Sequence, residues 1–261
     1  MTPYWMNRNP NQYFDDPVAA YTRLAPYYAD LSSRRQCYLR SIEDAVASRI
    51  PSGSSSLLDI GAGDGSRALR IARKSGIRNI VLVEPSAEMA APAIGSAKIW
   101  NQRAEEVSDY SNKFDVITCL WNVLGHVRGV ENRARAMGAI ERLVTAKGRC
   151  FIDVTHRYNL RSYGVFPTMA RLMRDSVFYK SEHADVTATW KVGEEAISTY
   201  GHVFTDHEFR QLAQTAGLEI EERIVVDYET GKIRRFAFTG NLLYILRRTS
   251  SIDSASAPHT S

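Results

Sequence analysis

The stretch from Ser56 to Ser66 constrains the fold of this chain more than any other. An apolar run ends at Asp59-Ile60, glycines then occupy alternate positions, and a helical pattern begins after them. The glycines are Gly61, Gly63 and Gly65. This order predicts a buried strand, a tight turn and a helix, with a turn backbone bare enough to approach a ligand closely.

Short apolar runs alternate with amphipathic helical patterns along much of the remaining chain. Strands are predicted at 57–60, 80–84, 99–102, 114–119, 149–154, 218–227 and 241–246. The last two are separated by a basic loop with Lys232, Arg234 and Arg235, and no helix lies between them, so they form an antiparallel pair at a sheet edge. The chain is therefore predicted to be an α/β protein with a Rossmann-like, mostly parallel seven-stranded sheet, an antiparallel edge strand and helices on both faces.

The segments around this sheet have distinct compositions. Residues 1–50 combine many aromatics and prolines with a helical stripe at 31–49, and we interpret them as an arm and helix that form a lid over the active site. Residues 51–248 form the main domain, in which 160–204 is a small substrate-side insertion carrying an antiparallel hairpin. Residues 249–261 are rich in Ser, Ala and Thr and are predicted to be disordered.

Charge and composition exclude several classes of partner. A net charge of +4 over 261 residues, without a concentrated basic face, argues against nucleic acid. The sequence has no run apolar and long enough to span a membrane and no signal-peptide pattern at its start, so we expect a cytoplasmic protein without a membrane partner. The three cysteines are scattered and have no Cys/His spacing typical of a metal site.

A glycine-rich turn that leads into a helix is a site for an anion or a nucleotide. The spacing here is not the G-x-G-x-x-G of dinucleotide sites, and no Lys-Ser/Thr pair ends the turn as in a P-loop. Asp64 inside the turn would oppose a pyrophosphate but tolerate a cationic ligand. Glu84, followed by Pro85, ends the second predicted strand, where a carboxylate can accept both hydroxyls of a ribose.

The D-x-G-x-G-x-G pattern that begins at Asp59 resembles the first motif of class I methyltransferases that use S-adenosylmethionine. The resemblance implies that the glycine backbone approaches the methionine part of this cofactor and that Asp59 reaches its ammonium. It also implies that Arg103 and Ala104 lie against the adenine. Arg103 departs from the Asp or Asn common at that position, so Glu105 is an alternative partner for the adenine amino group.

A second stretch gives a narrower resemblance. The sequence C-L-W-N-V-L-G-H-V at 119–127 is similar to the C-L-G-N-S-x-x-H-L of glycine N-methyltransferases and related small-molecule methyltransferases. Shorter patches around Arg34, residues 151–159 and residues 200–205 extend the likeness. It implies that Leu120 offers its carbonyl to the cofactor ammonium and that Arg34 pairs with the cofactor carboxylate.

The same resemblance implies an acceptor side of the site. Asn122 would accept a hydrogen bond from the substrate amine, and His126 would support the loop near the methyl group. Arg157 would bind a substrate carboxylate, and Tyr200 would line the same pocket. A displacement of one or two residues leaves open whether Arg157 or Thr155 faces the substrate.

Trp121 stands where the resembled stretch has a glycine, which indicates a smaller pocket or one that stacks a flat substrate. We therefore predict a methyltransferase that transfers a methyl group from S-adenosylmethionine to a small molecule and leaves S-adenosylhomocysteine. An amine nitrogen is the favoured target, and O- or C-methylation of a secondary metabolite is the alternative. Because the sulfonium is already an activated electrophile, no essential general base is predicted. A homo-oligomer, as in the resembled family, is left open.

Overall fold

The computed structural model describes residues 16–108 and 111–249. Its α-helices are α1 Pro17–Leu24, α2 Tyr28–Ser33, α3 Gln36–Ala47, α4 Ser66–Ser75, α5 Ala87–Ala90, α6 Val123–His126, α7 Val130–Leu143, α8 Leu160–Tyr163, α9 Val165–Phe178 and α10 Asp206–Thr215. Its strands are β1 Ser56–Ile60, β2 Asn79–Val83, β3 Lys98–Trp100, β4 Phe114–Cys119, β5 Val144–Val154, β6 Asp185–Val192, β7 Glu195–His202, β8 Leu218–Val226, β9 Ile233–Arg234 and β10 Asn241–Arg248. The first part of the predicted arm and nearly all of the predicted tail lie outside the described residues.

Within these ranges, eight strands form one sheet in the order β3-β2-β1-β4-β5-β10-β8-β9. Strands β3 to β5 run parallel, whereas β10 is antiparallel to both β5 and β8. The predicted Rossmann-like α/β sheet with an antiparallel edge is confirmed.

The predicted count of seven strands is wrong. Ile233 and Arg234, which the sequence placed in a basic loop, pair antiparallel with Val226 and Val225. The Arg234 guanidinium donates to Asp227 Oδ2 at 3.0 Å, so its charge is matched at the sheet edge. This local ion pair lets a basic segment add an eighth strand.

Strand β1 is buried along its length because helices cover both faces of the sheet. Leu58 and Ile60 belong to the core cluster that includes Met137 of α7. Leu57 points the other way and belongs to the cluster that includes Ile42 of α3. Such two-sided burial is the reason that parallel strands appear as continuous apolar runs in a sequence.

The N-terminal helical stripe is interrupted. The single stripe at 31–49 corresponds to α2 and α3, which are separated because Arg35 leaves helical geometry with φ −114° and ψ 18°. The predicted small hairpin is confirmed as a separate two-stranded sheet of β6 and β7. Ala20 and Leu24 of α1 pack against Val192 and Ile197 of this hairpin. No helix in the described residues combines the length and apolarity needed to cross a bilayer.

Candidate active site

A cavity opens where β1 and β4, adjacent in the sheet, reach their C-terminal ends. The order of the strands reverses between β1 and β4, and α/β sheets bind ligands at this point. Helices α1 and α2 contribute Pro17, Val18, Tyr21 and Tyr28 to the opposite wall. Nine predicted site residues line the cavity, namely Gly61, Gly63, Glu84, Pro85, Arg103, Ala104, Glu105, Leu120 and His126.

Two positions of the turn require glycine for different steric reasons. Gly63 has φ +60°, and a Cβ added to it would lie 2.9 Å from the hydroxyl oxygen of Tyr28. Gly65 has φ +72°, but a Cβ there would lie 2.7 Å from Cδ1 of Leu82, away from the cavity lining. Gly63 therefore allows Tyr28 to lie against the turn, whereas Gly65 permits the turn to pack against β2.

The Glu84 carboxylate is held at the cavity by backbone donors. Its Oε2 accepts from the N–H of Gly63 at 2.9 Å, and its Oε1 accepts from the N–H of Ser86 at 3.0 Å. Burial raises the pKa of Glu84, although both hydrogen bonds favour the charged form. A carboxylate has about four lone-pair positions, so two remain for a ligand.

Asp59 of β1, which does not line the cavity, and Arg67 of α4, which does, are buried groups of opposite charge that interact electrostatically. Asp59 Oδ1 accepts from Thr118 Oγ1 at 2.6 Å, and Arg67 Nη2 donates to the carbonyl of Leu120 at 3.2 Å. Asp59 Oδ2 and Arg67 Nε have no hydrogen-bond partner in the described part of the chain. Burial raises the pKa of Asp59, and the charge of Arg67 opposes this rise. Orphaned buried groups of this kind are rare unless a ligand or water completes them.

Arg67 is a candidate site residue that the sequence reasoning missed. It lines the cavity, whereas Arg34 does not. The Arg34 side chain is 60% exposed and pairs with Asp30 at 2.5 Å across one helical turn. A signal for Arg67 exists in the sequence, because it lies four residues before Ile71 on the apolar stripe of α4. A charged residue on a buried helical face needs a partner.

Polar contacts tie α1 to the cavity wall. Arg103 lines the cavity and donates from Nη2 to Oδ2 of Asp16 at 2.7 Å. Asp16 is the N-cap of α1 and also accepts from the N–H of Val18 at 3.1 Å. Thr22 Oγ1 donates to Ser86 Oγ at 2.8 Å. These contacts hold α1 over the cavity.

The imidazole of His126 connects α1 to β7 at the cavity. His126 Nδ1 lies 2.8 Å from the carbonyl oxygen of Tyr200, and its Nε2 lies 3.0 Å from the hydroxyl of Tyr21. Burial lowers the pKa of His126, so the ring is neutral at neutral pH. A carbonyl can only accept, so Nδ1 carries the proton and Nε2 accepts from Tyr21.

The loop after β4 has two consecutive non-glycine residues with positive φ, Trp121 at +68° and Asn122 at +59°. Asp153 of β5 accepts hydrogen bonds from both backbone N–H groups and from the hydroxyl of Tyr38. Trp121 thus keeps a conformation that suits the glycine of the resembled stretch, while its indole lines the cavity. The loop is strained and is held by a buried carboxylate.

Asn122 does not line the cavity. Its Oδ1 accepts from the N–H of Thr155 at 2.9 Å, and its Nδ2 contacts the carbonyl of His202 at 3.4 Å. The amide therefore joins the loop after β4 to β5 and β7. In this arrangement Asn122 positions the loop, and neither it nor Thr155 faces the cavity.

Arg157 and Tyr200 also lie away from the cavity. Arg157 is buried and donates from Nε to Asp175 at 2.6 Å and from Nη1 to the carbonyl of His183 at 2.8 Å. Burial would raise the pKa of the Asp175 carboxyl, but Arg157 lowers it to about 2. The Tyr200 hydroxyl donates to Asp185 Oδ1 at 2.7 Å, and burial raises its pKa to about 12. Both side chains are occupied by protein partners.

Residues 31–223 match a protein family described as a methyltransferase domain. The chain belongs to this methyltransferase family. Membership confirms the predicted enzyme class and the predicted cofactor, S-adenosylmethionine. A comparison with curated protein sequences finds no significant match.

Solved structures similar to this methyltransferase share its fold at low identity. An S-adenosylmethionine-dependent methyltransferase from Clostridium acetobutylicum is 16% identical with a TM-score of 0.60, over 88% of this chain and 99% of that one. A sugar N-methyltransferase from Streptoalloteichus is 16% identical with a TM-score of 0.58, over 93% and 98% of the two chains. A possible histamine N-methyltransferase from Thermotoga maritima is 19% identical with a TM-score of 0.59, over 88% and 98%.

Proposed function

We propose that this methyltransferase binds S-adenosylmethionine in the cavity beneath α1 and methylates a small molecule there, with an amine nitrogen as the target. The observation that carries the proposal is that two buried, oppositely charged side chains each keep an atom without a hydrogen-bond partner among the described residues, Asp59 Oδ2 and Arg67 Nε. The amino-acid end of the cofactor carries an ammonium and a carboxylate. A buried anion and a buried cation whose charges interact are complementary to such a zwitterion.

The remaining cavity residues fit the rest of the cofactor. Arg67 would hold the carboxylate, while Asp59 and the Leu120 carbonyl would receive the ammonium. Glu84 would accept the ribose hydroxyls with its two free lone pairs. The adenine would lie by the segment after β3, where Arg103, Ala104 and Glu105 line the cavity.

The cofactor, when bound, supplies an activated methyl group. The chain has to align an acceptor with that group and exclude water. Alignment of this kind can contribute on the order of 7–11 kcal/mol to lowering the barrier. Tyr21, Tyr28 and Trp121 enclose the same cavity, and their ring faces favour cationic groups such as a sulfonium or a methylated amine.

Several observations favour a small amine as the acceptor. Residues of α1 and α2 line the cavity together with residues of the loops that follow β1, β2 and β4, and a cavity walled from both sides suits a small molecule better than a polymer. Two of the similar structures are named for N-methylation, one of a sugar and one of histamine. An amine attacks in its neutral form and loses its proton afterwards, so it needs only a weak proton acceptor.

The contact between Tyr21 and His126 favours a second candidate, methylation of a hydroxyl group. An acceptor O–H beside Tyr21 would give its proton to the Tyr21 oxygen, and the Tyr21 proton would pass to Nε2 of His126 across 3.0 Å. The acceptor oxygen would take the methyl group that the bound cofactor supplies, and a proton would remain on the imidazole of His126. This route makes His126 a base for the weaker nucleophile.

Calorimetry tests the proposal that the cavity binds S-adenosylmethionine. S-adenosylmethionine and S-adenosylhomocysteine are expected to bind with one site per chain, whereas NAD is expected not to bind. Tight NAD binding without S-adenosylhomocysteine binding would overturn the assignment of the cavity.

A panel of acceptors tests the proposal that the target is an amine nitrogen. Histamine, an amino-sugar nucleotide and a catechol are each incubated with S-adenosylmethionine, and S-adenosylhomocysteine formation is measured. Turnover of the amines but not of the catechol supports N-methylation. If only the catechol is methylated, and His126→Gln abolishes this activity, the result would support the hydroxyl route instead.

A further inference from the structure

Helix α9 turns an apolar stripe to the solvent. Val165, Met169, Met173 and Val177 follow one another at intervals of four residues, and all are exposed. Phe166 adds a ring that is 87% exposed. An amphipathic helix in a globular protein normally turns such a stripe to the core.

The inward face of α9 is polar instead. Thr168 and Asp175 are the buried residues of this helix. Thr168 Oγ1 donates to the carbonyl of Gly164 at 2.7 Å, and Asp175 accepts from the buried guanidinium of Arg157. The helix is thus anchored by a buried ion pair, and the exposed residues of its apolar stripe belong to none of the described core clusters.

The charged residues of α9 lie outside the stripe and contact other groups of the same chain. Arg171 donates to the carbonyl of Arg157 at 3.2 Å and stacks 4.3 Å from the ring centroid of Tyr163. Arg174 pairs with Asp175 at 3.0 Å. The outward face from Val165 to Val177 therefore carries no charge of its own. Helices that bind anionic membranes instead present free Lys and Arg beside the apolar face.

The exposed area is large enough for a protein interface. Phe166 offers on the order of 200 Å² of exposed surface beside the stripe. The two valines and two methionines of the stripe enlarge this patch beyond the few hundred Å² usual for a monomer. The whole stripe supplies much of the ~800 Å² per partner that a stable complex buries.

We propose that α9 is a homodimer interface, in which the stripe packs on the same stripe of a second copy around a two-fold axis. A second copy carries the matching apolar surface at the matching place, so one patch satisfies both partners. Because the stripe is uncharged, the two-fold arrangement brings no like charges together. The inference rests on α9 alone and does not depend on which acceptor the cavity takes.

Sedimentation velocity on the full chain over a concentration series tests the proposal. The wild-type protein is expected to sediment as a dimer of the 29.3 kDa chain. Phe166→Glu and Met173→Glu each place two facing carboxylates in the interface and are expected to weaken self-association at least tenfold. Met173→Leu keeps the apolar contact and is expected to remain dimeric. Ile94→Glu, at an exposed apolar residue outside α9, is the matched control and is also expected to remain dimeric.

Calorimetry with S-adenosylhomocysteine on every variant shows whether the fold and the cavity are intact. A wild-type monomer at all concentrations, or a dimer that survives both glutamate substitutions, would overturn the proposal. So would a monomer that co-sediments with phosphatidylcholine–phosphatidylglycerol vesicles only while the α9 stripe is intact. Failure of S-adenosylhomocysteine to bind the wild type would contradict the proposed function and leave the sedimentation result as it stands.

Discussion

The hydroxyl of Tyr21 donates a hydrogen bond to Nε2 of His126 over 3.0 Å and so joins the helix above the cavity to the loop after β4. The other ring nitrogen is fixed by the carbonyl of Tyr200 at 2.8 Å. Tyr200 thus acts on the cavity through its backbone, although its side chain points elsewhere. The tautomer of His126 and the position of α1 depend on each other.

Replacing Tyr21 by Phe is expected to raise the pKa of His126. Tyr21 stabilises the neutral ring by donating to Nε2, and burial lowers the pKa of His126 further in the intact protein. The measurement is a pH titration of ¹⁵N-labelled histidine by NMR, with His126→Gln to assign the signal. An unchanged pKa in Tyr21→Phe would contradict the hydrogen bond.

Arg67→Met and Arg34→Met form a matched pair for the cofactor carboxylate. Arg67 lines the cavity, while Arg34 is exposed and paired with Asp30. Loss of a hydrogen bond to a charged group costs about 1.5–3 kcal/mol, so S-adenosylhomocysteine should bind Arg67→Met roughly ten- to a hundredfold more weakly. Arg34→Met should bind it as the wild type does.

Calorimetry measures both affinities, and urea unfolding confirms that each variant is folded. The reverse order of affinities would restore the role that the family resemblance implies for Arg34.

The parts of the fold and site that depend on local sequence could be predicted. Strand β1 is recognisable because both of its faces are buried, and the turn because only glycine suits its backbone. Glu84 follows from its place at the end of a strand. The hydrogen bond from Gly63 to Glu84 joins two segments that any α/β unit brings together.

Side chains whose partners come from distant segments could not be placed in this way. Asn122, Arg157 and Tyr200 were predicted at the acceptor, yet α9 and the β6–β7 hairpin supply partners that keep them away from the cavity. The position of Arg67 on the apolar stripe of α4 indicates that it turns inward, but no local pattern shows that it reaches the cavity whereas Arg34 does not. Such choices depend on tertiary contacts that a single sequence does not encode locally.

His156 makes the stability of the protein depend on pH. It is buried, and burial lowers its pKa to about 4. A histidine with a depressed folded pKa contributes stability above its unfolded pKa, and this contribution is lost as pH falls towards the folded pKa. The free energy of unfolding should therefore fall by about 1.4 kcal/mol for each pH unit between about 6.5 and 4 through this residue.

Urea unfolding at several pH values in this window, compared between wild type and His156→Gln, isolates the effect. The raised pKa values of Asp59, Glu84 and Asp153 act in the opposite direction, because these carboxyls bind protons more readily in the folded state. They are common to both proteins and cancel in the difference. Parallel pH profiles would contradict the role of His156.

Breaking the ion pair between Arg157 and Asp175 distinguishes a structural role of Arg157 from a role in binding the acceptor. Both side chains are almost fully buried, at 2% and 3% exposure. Arg157→Met leaves a buried carboxylate without its main partner and should lower the free energy of unfolding by about 3–5 kcal/mol. The double variant Arg157→Met, Asp175→Leu removes both charges and should recover most of that loss. Urea unfolding at fixed protein concentration gives these values, and S-adenosylhomocysteine affinity should stay unchanged. If Arg157→Met instead kept its stability and raised the KM of the acceptor alone, Arg157 would bind substrate as the family resemblance implies.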